Sequence, residues 1–319
     1  MEIKRLNDEL LAEFHEFFAM EVREQQLLYK PSVSIRFTEE IRDLTTINLV
    51  ALNDGKIIAF ANASYKAETN VGYITFILVA KNQQFQGIGG QLYEKLQTEL
   101  LACGAKKLEI SFFNPINLEW LVPRTASHDH PNAPGVDIAS SAYIFFKNRG
   151  FLDVAMQNVY YQNLQTFQYT DDVKNRLKKL NDGGYEIAYF NPEIHTGLNE
   201  LFDDFGNELW RETIMNNVNN VNPLPVLVVI KNDEVFGFTG PLDVANSGRG
   251  YFAGIGIHSS HRALGAGKLL FSALCNGLKS EGATFMTLFT GETNPARRIY
   301  ESAGFKIVRS FMVMRKEVE

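Results

Sequence analysis

The sequence has few cysteines and no long apolar run. Cys103 and Cys275 are the two cysteines among 319 residues, and they lack the close spacing of metal ligands. We therefore expect no disulfide framework and a reducing compartment. No apolar run reaches the roughly 18 residues of a membrane span, and the N-terminal segment is too charged for a signal peptide. These absences predict a cytoplasmic protein without a membrane partner.

The sequence also lacks an excess of positive charge. Its 31 basic and 37 acidic residues give a net charge of −6, which disfavours a nucleic-acid partner and suits a cationic small substrate. Hydrophobic residues make up 45% of the chain, as in ordinary globular proteins. At this length, two domains are expected rather than one.

A glycine-rich segment occurs twice in the chain. The first copy, Ile77–Leu96, reads ILVAKNQQFQGIGGQLYEKL, and the second, Gly254–Leu274, reads GIGIHSSHRALGAGKLLFSAL. Each consists of an apolar strand, a short polar turn, the pattern Gln/Arg-x-x-Gly-x-Gly and an amphipathic helix. Equivalent residues lie 178 positions apart. Such a repeat indicates a duplicated domain.

The segments around these copies repeat as well. Each half has a hairpin pattern upstream of its glycines. Downstream, each has a short helix that ends at a Gly-Phe pair and leads into a strand. The polar stretch Gln165–Gly184 separates the two halves. We therefore predict an N-terminal α/β domain over residues 1–165, a connector over 166–184 and a C-terminal α/β domain over 185–319.

Glycines at a helix start predict either an anion site or a tight turn without a ligand. The first N–H groups of a helix have no intrahelical partner and attract anions. A Walker loop would need Gly-Lys-Ser/Thr, which neither copy has. A dinucleotide fingerprint would need a third glycine where Leu92 and Leu270 stand. Both of these phosphate-loop assignments disagree with the sequence.

Together with the Gly-Phe helix, the remaining pattern resembles the GNAT acyltransferase superfamily. Two copies in one chain are similar to its tandem members, an arrangement that mycothiol synthase also has. The resemblance implies two tandem GNAT domains of α/β (α+β) class, each with a mixed, mostly antiparallel, splayed sheet flanked by helices. It implies N-acyl transfer from acetyl-CoA, without a metal, to the amine of a small molecule or peptide. The alternative is a non-catalytic acyl-CoA-binding or regulatory protein; a monomer or a homodimer is expected.

The resemblance also implies the residues that bind acetyl-CoA. The strand before each turn would pair with the pantetheine arm, and the turn amides would hold the pyrophosphate. The implied contacts are Ile77, Val79, Gln84, Gly87, Gly89 and Gly90 in the first half, and Ile255, Ile257, Arg262, Gly265, Ala266, Gly267, Lys268 and Asn294 in the second. Because Arg262 and Lys268 replace Gln84 and Gly90, the second half should bind more tightly.

The two halves differ at the position of the proton donor. In GNAT enzymes a tyrosine in the later helix commonly protonates the leaving thiolate, and the resemblance assigns this role to Tyr300. The first half has Phe146 there, and Ser140 where the second half has Asn294. We therefore expect the second half to perform the chemistry. The alternative for Tyr300 is an aromatic residue that only packs on the sheet.

No carboxylate on the strands before the glycines marks a general base. The nearest candidate is Glu292, at the end of the following strand, with Asp243 and Glu212 as alternatives. Each of these carboxylates is equally explained as a solvated surface group.

The first half also carries an insertion of 24 residues, within about 114–139. It contains His128, Asp129 and His130, but His-x-His alone is a weak metal signal. We expect the insertion to shape substrate access near the acyl end of the cofactor; a plain surface loop is the alternative.

Overall fold

The computed structural model describes residues 1–318, apart from the side chains of residues 263 and 264. Its contacts divide the chain into two compact units. Unit 1 comprises Met1–Asn158 and the segment that begins at Arg309, and unit 2 comprises Val159–Val308. This division differs from the linear division predicted above, because the end of the last strand pairs with strands of the first half.

The first half of the chain alternates strands and helices. In chain order its elements are β1 (Glu2–Arg5), α1 (Leu11–Glu24), β2 (Leu44–Asn53), β3 (Lys56–Lys66), β4 (Val71–Val79), α2 (Ile88–Ala102), β5 (Lys107–Ile110), β6 (Trp120–Leu121), β7 (Asp129–His130), β8 (Val136–Asp137), α3 (Ser141–Lys147) and β9 (Leu152–Asn163). Short 3-10 helices cover Asp8–Leu10, Pro31–Phe37 and Lys81–Gln83.

The second half follows the same plan after a connecting helix. Its elements are α4 (Asp171–Asp182), β10 (Glu186–Tyr189), α5 (Leu198–Phe205), α6 (Glu208–Val218), β11 (Leu227–Lys231), β12 (Glu234–Thr239), β13 (Arg249–Gly250), β14 (Ile255–Ile257), α7 (Ala266–Ser280), β15 (Phe285–Gly291), α8 (Arg297–Ser302) and β16 (Lys306–Glu317). A 3-10 helix, Ser259–Leu264, precedes α7.

The sheet of unit 1 is mostly antiparallel. β1, β2, β3 and β4 form successive antiparallel pairs, β4 and β5 are parallel, and the end of β16 pairs antiparallel with β5. Alternate side chains of β3 face opposite sides of the sheet, as the period of a strand requires. Ala61 faces the α2 core with Leu92 and Leu96, whereas Phe60 faces α1 with Phe14.

The strands of unit 2 repeat this pattern of pairing. β10, β11, β12 and β14 form a four-stranded antiparallel sheet, and β13 pairs in parallel with β15 outside that sheet. Leu270 and Phe271 of α7 form the core on one face, and Phe202 of α5 packs with Phe238 on the other. Each unit therefore combines mostly antiparallel strands, a parallel pair and flanking helices, in agreement with the predicted fold class.

The insertion of the first half is part of the folded core of unit 1. Trp120 and His130 are buried and form a register pair between β6 and β7, and Trp120 Nε1 donates to the Asn132 carbonyl at 2.8 Å. Val136 and Asp137 form β8, which pairs with β16. The alternative of a plain surface loop is therefore wrong, because the insertion supplies core side chains and a strand.

Candidate functional site

In unit 1, strand β4 separates from β5 halfway along its length. Residues Val71–Tyr73 pair in parallel with Lys107–Glu109. From Ile74 onward, the register pairs found within residues 1–318 join β4 to β3 on its other side. The separation begins at a β-bulge, where Thr75 is the extra residue between two register pairs. A bulge bends and twists a strand locally, and this one lies where β4 leaves β5.

The backbone of β4 directs polar groups into this gap. The Ala80 N–H donates to the Ile58 carbonyl at 2.8 Å. Because backbone groups alternate in direction along an antiparallel strand, Ile77 and Val79 direct theirs away from β3, towards the gap. The Val79 carbonyl accepts from Nε2 of Gln84 at 3.4 Å. The structure thus places the predicted residues Ile77, Val79 and Gln84 on one wall of the gap.

A turn and a helix start that contain glycines follow the same strand. Gly87 has a φ of +82°, which favours glycine, and α2 begins with the next residue. The Gln91 N–H bonds back to the Gly87 carbonyl at 3.1 Å, so the helix amides before it have no helical partner. A Cβ at Gly89 would lie 3.6 Å from side chains of Val79 and Phe145, an ordinary contact. Internal packing therefore does not require glycine at 89, whereas the close approach of a ligand would.

The gap forms one wall of a cleft of about 960 Å³ within unit 1. Its lining includes Gly87 and Gly89 of the turn, Ile77 of β4, and Tyr29 and Asp137. Burial and the negative charge of Asp137 raise the pKa of the Tyr29 phenol. The volume lies at the upper end of the range for small-molecule pockets, about 300–1,000 Å³.

Unit 2 has the same arrangement of strand and turn. β13 pairs with β15, whereas β14, further along the same stretch of chain, pairs with β12. The His258 N–H donates to the Phe236 carbonyl at 2.8 Å, so Ile255 and Ile257 direct their backbone groups away from β12. Nε of Arg262 donates to the Ile257 carbonyl at 3.3 Å, as Gln84 does to Val79.

The second glycine turn is equally open. Gly265 has a φ of +67° and precedes α7. A Cβ at Gly267 would lie 3.7 Å from Ile299 and 3.8 Å from Ile257, so this site also tolerates a methyl group. Ala266 is buried in the core, whereas Lys268 is exposed beside the turn. Arg262, Gly265, Gly267 and Lys268 therefore lie together at the start of α7.

Other glycines of unit 2 serve packing. A Cβ at Gly256 would lie 2.4 Å from the Phe205 ring, and one at Gly254 would lie 2.5 Å from Nε1 of Trp210. These glycines take the repeat positions of Leu78 and Phe76. Large rings from α5 and α6 thus occupy the space that strand side chains fill in unit 1.

Tyr300 and its counterpart Phe146 are both buried, each with 6% of the residue exposed. The Tyr300 ring packs on Phe271, with 5.0 Å between centroids, and on Phe252, with 6.0 Å. Burial raises the pKa of Tyr300 to about 12. Phe146 packs on Phe151, with 5.2 Å between centroids. The equivalent residues of α3 and α8 are therefore buried to the same extent, and they differ in that Tyr300 has a hydroxyl group and Phe146 has none.

The polar residues predicted near Tyr300 are exposed. Asn294 precedes α8, and its Oδ1 accepts from the Ala296 N–H at 2.9 Å. Glu292 lies in the turn after β15. Asp243 Oδ1 accepts from the Val244 N–H at 2.8 Å, and Glu212 is an exposed residue of α6.

Gln25 and Arg149 line the cleft of unit 1 beside the predicted residues, and neither was predicted from the sequence. Nε2 of Gln25, at the end of α1, donates to the Val79 carbonyl at 2.9 Å. Arg149 lines the cleft beside the first glycine turn. No local pattern marks Gln25 as a site residue. Arg149 directly precedes the Gly-Phe pair, and its positive charge at that position could have indicated an anion contact.

The His-x-His segment has structural partners. Lys30 Nζ lies 3.2 Å from Oδ2 of Asp129, and the His130 ring contacts Trp120, with 5.6 Å between centroids. Within residues 1–318, no group of three or more His, Cys, Asp or Glu side chains is placed to hold a metal ion. Within the same residues, no helix combines the length and apolarity needed to cross a bilayer.

The acetyltransferase (GNAT) family matches residues 7–119 and 192–305, one segment in each half and together more than half of the chain. The chain therefore belongs to the GNAT family, in a tandem arrangement, and the predicted resemblance is confirmed. Among curated proteins, no sequence matches this chain.

Solved structures with the same fold cover nearly the whole chain. A GCN5-related glucosamine N-acetyltransferase region of a fungal multi-domain β-N-acetylglucosaminidase has a TM-score of 0.68 at 15% identity; the match covers 99% of this chain and 38% of that one. A GCN5-related N-acetyltransferase from Sphaerobacter thermophilus has a TM-score of 0.59 at 14% identity, covering 99% and 95%. A tandem GNAT protein from the clavulanic acid biosynthesis pathway has a TM-score of 0.58 at 13% identity, and the match covers 99% of this chain and 98% of that one. The chain thus spans less than half of the fungal protein. At these identities the likeness concerns the fold.

Proposed function

We propose that the protein transfers an acetyl group from acetyl-CoA to the amine of a small molecule or peptide, and that unit 2 performs the chemistry. The observation that carries the proposal is a strand that leaves its neighbour and is followed by a turn and a helix start that contain glycines. Both units contain it. The choice of unit 2 rests on Tyr300, which has Phe146 as its counterpart in unit 1.

Residues of unit 2 fit an extended thioester ligand with a pyrophosphate. The backbone groups of Ile255 and Ile257 would hold the arm as an added strand, and the first amides of α7 would hold the pyrophosphate. Gly267 leaves space at that helix start, and the side chains of Arg262 and Lys268 supply positive charge. Acetyl-CoA, when bound there, supplies an activated thioester.

Tyr300 would supply a proton to the leaving group. In the transfer, the amine nitrogen forms a bond to the acetyl carbon, and the carbon–sulfur bond breaks. The thiolate takes the proton of the Tyr300 hydroxyl, which recovers a proton from solvent before the next turnover. The proton lost by the amine goes to a general base and on to solvent. With a pKa of about 12, Tyr300 is protonated at neutral pH, as a proton donor must be.

We assign the general base to Glu292, with Asp243 and Glu212 as alternatives. Glu292 follows β15 and lies two residues before Asn294, at the end of the strand from which β14 has separated. Because Glu292 is exposed, it can accept the proton of the amine through an intervening water.

Unit 1 would bind acyl-CoA or help to form the substrate site. Its cleft of about 960 Å³ has room for such a ligand, but Phe146 offers no proton. The alternative for the whole chain is a binding or regulatory protein without turnover. A panel of amines, read out as free thiol released from acetyl-CoA, separates the two possibilities.

A matched set of variants tests the proposal. Gly267→Ala fits the space at the second turn, so it should keep folding, binding and turnover. Gly267→Glu places a carboxylate against the pyrophosphate and should abolish turnover. In calorimetry, the number of acetyl-CoA binding sites should fall from two to one. In the first turn, Gly89→Glu should remove one binding site and leave measurable turnover, with Gly89→Ala as its control. Unchanged stoichiometry in Gly267→Glu, or a dead Gly89→Glu enzyme beside an active Gly267→Glu, would refute the assignment of the sites.

A further inference from the structure

The first glycine turn lacks the positive charges of the second. Gln84 and Gly90 stand at the repeat positions of Arg262 and Lys268. In unit 1 the positive charge beside the glycine turn comes from Arg149 instead. A Cβ at Gly90 would lie 2.8 Å from Nη2 of Arg149, so the guanidinium occupies the space where a side chain at position 90 would begin.

Two positions of the repeat differ between the units in a coupled way: position 90, which is equivalent to 268, and position 149, which is equivalent to 303. Arg149 directly precedes the glycine of its Gly-Phe pair, and the residue at that position in unit 2 is Ala303. Unit 1 therefore combines Gly90 with Arg149, whereas unit 2 combines Lys268 with a small residue. In both units, a positive charge therefore lies at the first turn of the helix after the glycines. In unit 2 it belongs to Lys268 of α7, and in unit 1 it belongs to Arg149, which follows α3.

The guanidinium of Arg149 is held in a fixed orientation. Its Nη1 donates to the Phe145 carbonyl at 3.0 Å, and its Cζ lies 3.6 Å from the centroid of the Phe145 ring. Stacking and one backbone hydrogen bond leave the Nη2 edge at the glycine turn. An arginine fixed in this way loses little side-chain entropy when it binds a planar or tetrahedral oxyanion.

The charges around Arg149 favour an anion. Within residues 1–318, no ion pair joins Arg149 to a carboxylate, and Lys316 is a neighbouring cation. Burial and the charge of Arg149 lower the pKa of Lys316. Lys316 Nζ contacts neutral groups, the hydroxyl of Tyr93 at 3.1 Å and Oε1 of Gln97 at 2.9 Å. Two neighbouring cations without a carboxylate repel each other, and a bound anion would relieve that repulsion.

We propose that Arg149 is a phosphate-positioning residue of the unit 1 cleft, where it contacts the phosphate groups of an acyl-CoA ligand at the start of α2. The identity of the ligand rests on the proposed function. The role of Arg149 rests on three observations: its cleft-lining position, its fixed guanidinium and the coupled exchange with Lys268. Unit 1 therefore retains a binding site with its own cation, although it lacks the tyrosine of unit 2.

The test uses the full chain with Gly267→Glu, in which binding should be confined to unit 1. Calorimetry then compares Arg149→Met, which keeps an apolar stem against Phe145, with Arg149→Lys, which keeps the charge. Lys95→Met, on the exposed face of α2, is the charge-matched control. The two probes are coenzyme A, which has phosphates, and pantetheine, which has none.

Arg149→Met should weaken coenzyme A binding about tenfold or more, the usual size of a lost charge-assisted contact. Pantetheine binding should stay within about twofold, Arg149→Lys should recover part of the loss, and Lys95→Met should match the parent. Equal losses for both probes would show a packing role, and no loss for either would show no role; each overturns the proposal. A parent that binds no coenzyme A overturns the unit 1 part of the proposed function as well, so the two failures are distinguishable.

Discussion

Arg315 of β16 forms an ion pair with Glu109 of β5, in which Nη2 and Nε lie 2.8 and 2.9 Å from Oε1 of the carboxylate. Glu109 is 4% exposed and stands opposite Tyr73, the last residue of β4 that pairs with β5. Lys107 Nζ lies 3.3 Å from the same oxygen. The last strand of the chain thus supplies a charge partner at the point where the cleft of unit 1 begins to open.

We predict that Arg315→Met lowers the free energy of unfolding by about 1–3 kcal/mol, because it removes a charged partner from a buried carboxylate. Lys107 limits the loss. Arg42→Met is the control, since the Arg42–Asp43 pair is exposed and such pairs contribute little. Chemical denaturation of both variants measures the difference. Equal effects would show that the Arg315–Glu109 pair contributes no more than a surface contact.

The first glycine turn contains a strained residue. Phe85 has a φ of +62°, and 99% of the residue is exposed. A non-glycine residue in this region costs about 1–2 kcal/mol, and an exposed ring recovers little of it. We predict that Phe85→Gly raises the free energy of unfolding by up to about 1 kcal/mol, whereas Phe85→Ala, which keeps its Cβ, changes it little. A clear destabilisation of Phe85→Gly in thermal or chemical melts would contradict this account.

The parts of the fold that follow local patterns were predicted from the sequence. The helix starts after Gly87 and Gly265 were marked by glycines between an apolar strand and an amphipathic run. The residues assigned to each turn also lie close together. They belong to one short stretch of chain, and the strand before it and the helix after it fix their positions. The roles of these residues in binding stay predictions.

Features that depend on distant parts of the chain were not predicted. Met314 pairs with Ile110, more than 200 positions earlier, and no local pattern specifies such pairing. The position of Arg149 beside Gly90 depends on how the later helix packs on α2. The burial of Trp120 was not predicted, because the proline-rich sequence of the insertion is typical of a loop. Trp120 is buried by contacts that form only when the sheet and core are complete.

Tyr300 should make stability sensitive to alkaline pH. Its pKa is raised to about 12 in the folded protein, whereas an unfolded phenol titrates near 10. The unfolded chain therefore loses this proton first as the pH rises, so the stabilisation is complete below pH ~10 and is lost between pH ~10 and ~12, by on the order of 1–3 kcal/mol. Denaturation across this range should show a shallower decline for Tyr300→Phe. Identical slopes would show that the folded phenol titrates normally.

The last prediction concerns turnover by Tyr300→Phe. The substitution keeps the ring that packs on Phe271 and deletes the hydroxyl, so the fold should change little. We expect kcat to fall by about 10²–10⁴-fold, the usual contribution of a general acid, with little change in KM for acetyl-CoA. Because the pKa of Tyr300 is about 12, its ionisation should not limit the wild-type rate below pH ~10.

The reverse exchange in unit 1 is the matched control for Tyr300→Phe. Phe146→Tyr places a hydroxyl at the repeat position, but Ser140 still stands where unit 2 has Asn294. We therefore expect Phe146→Tyr to restore no turnover when it is combined with Tyr300→Phe. The measurement is free-thiol release under conditions where a pre-steady-state burst shows whether chemistry is rate-limiting. If Tyr300→Phe turned over at the wild-type rate while chemistry limited the reaction, Tyr300 would be a packing residue, and the leaving thiolate would take its proton from solvent.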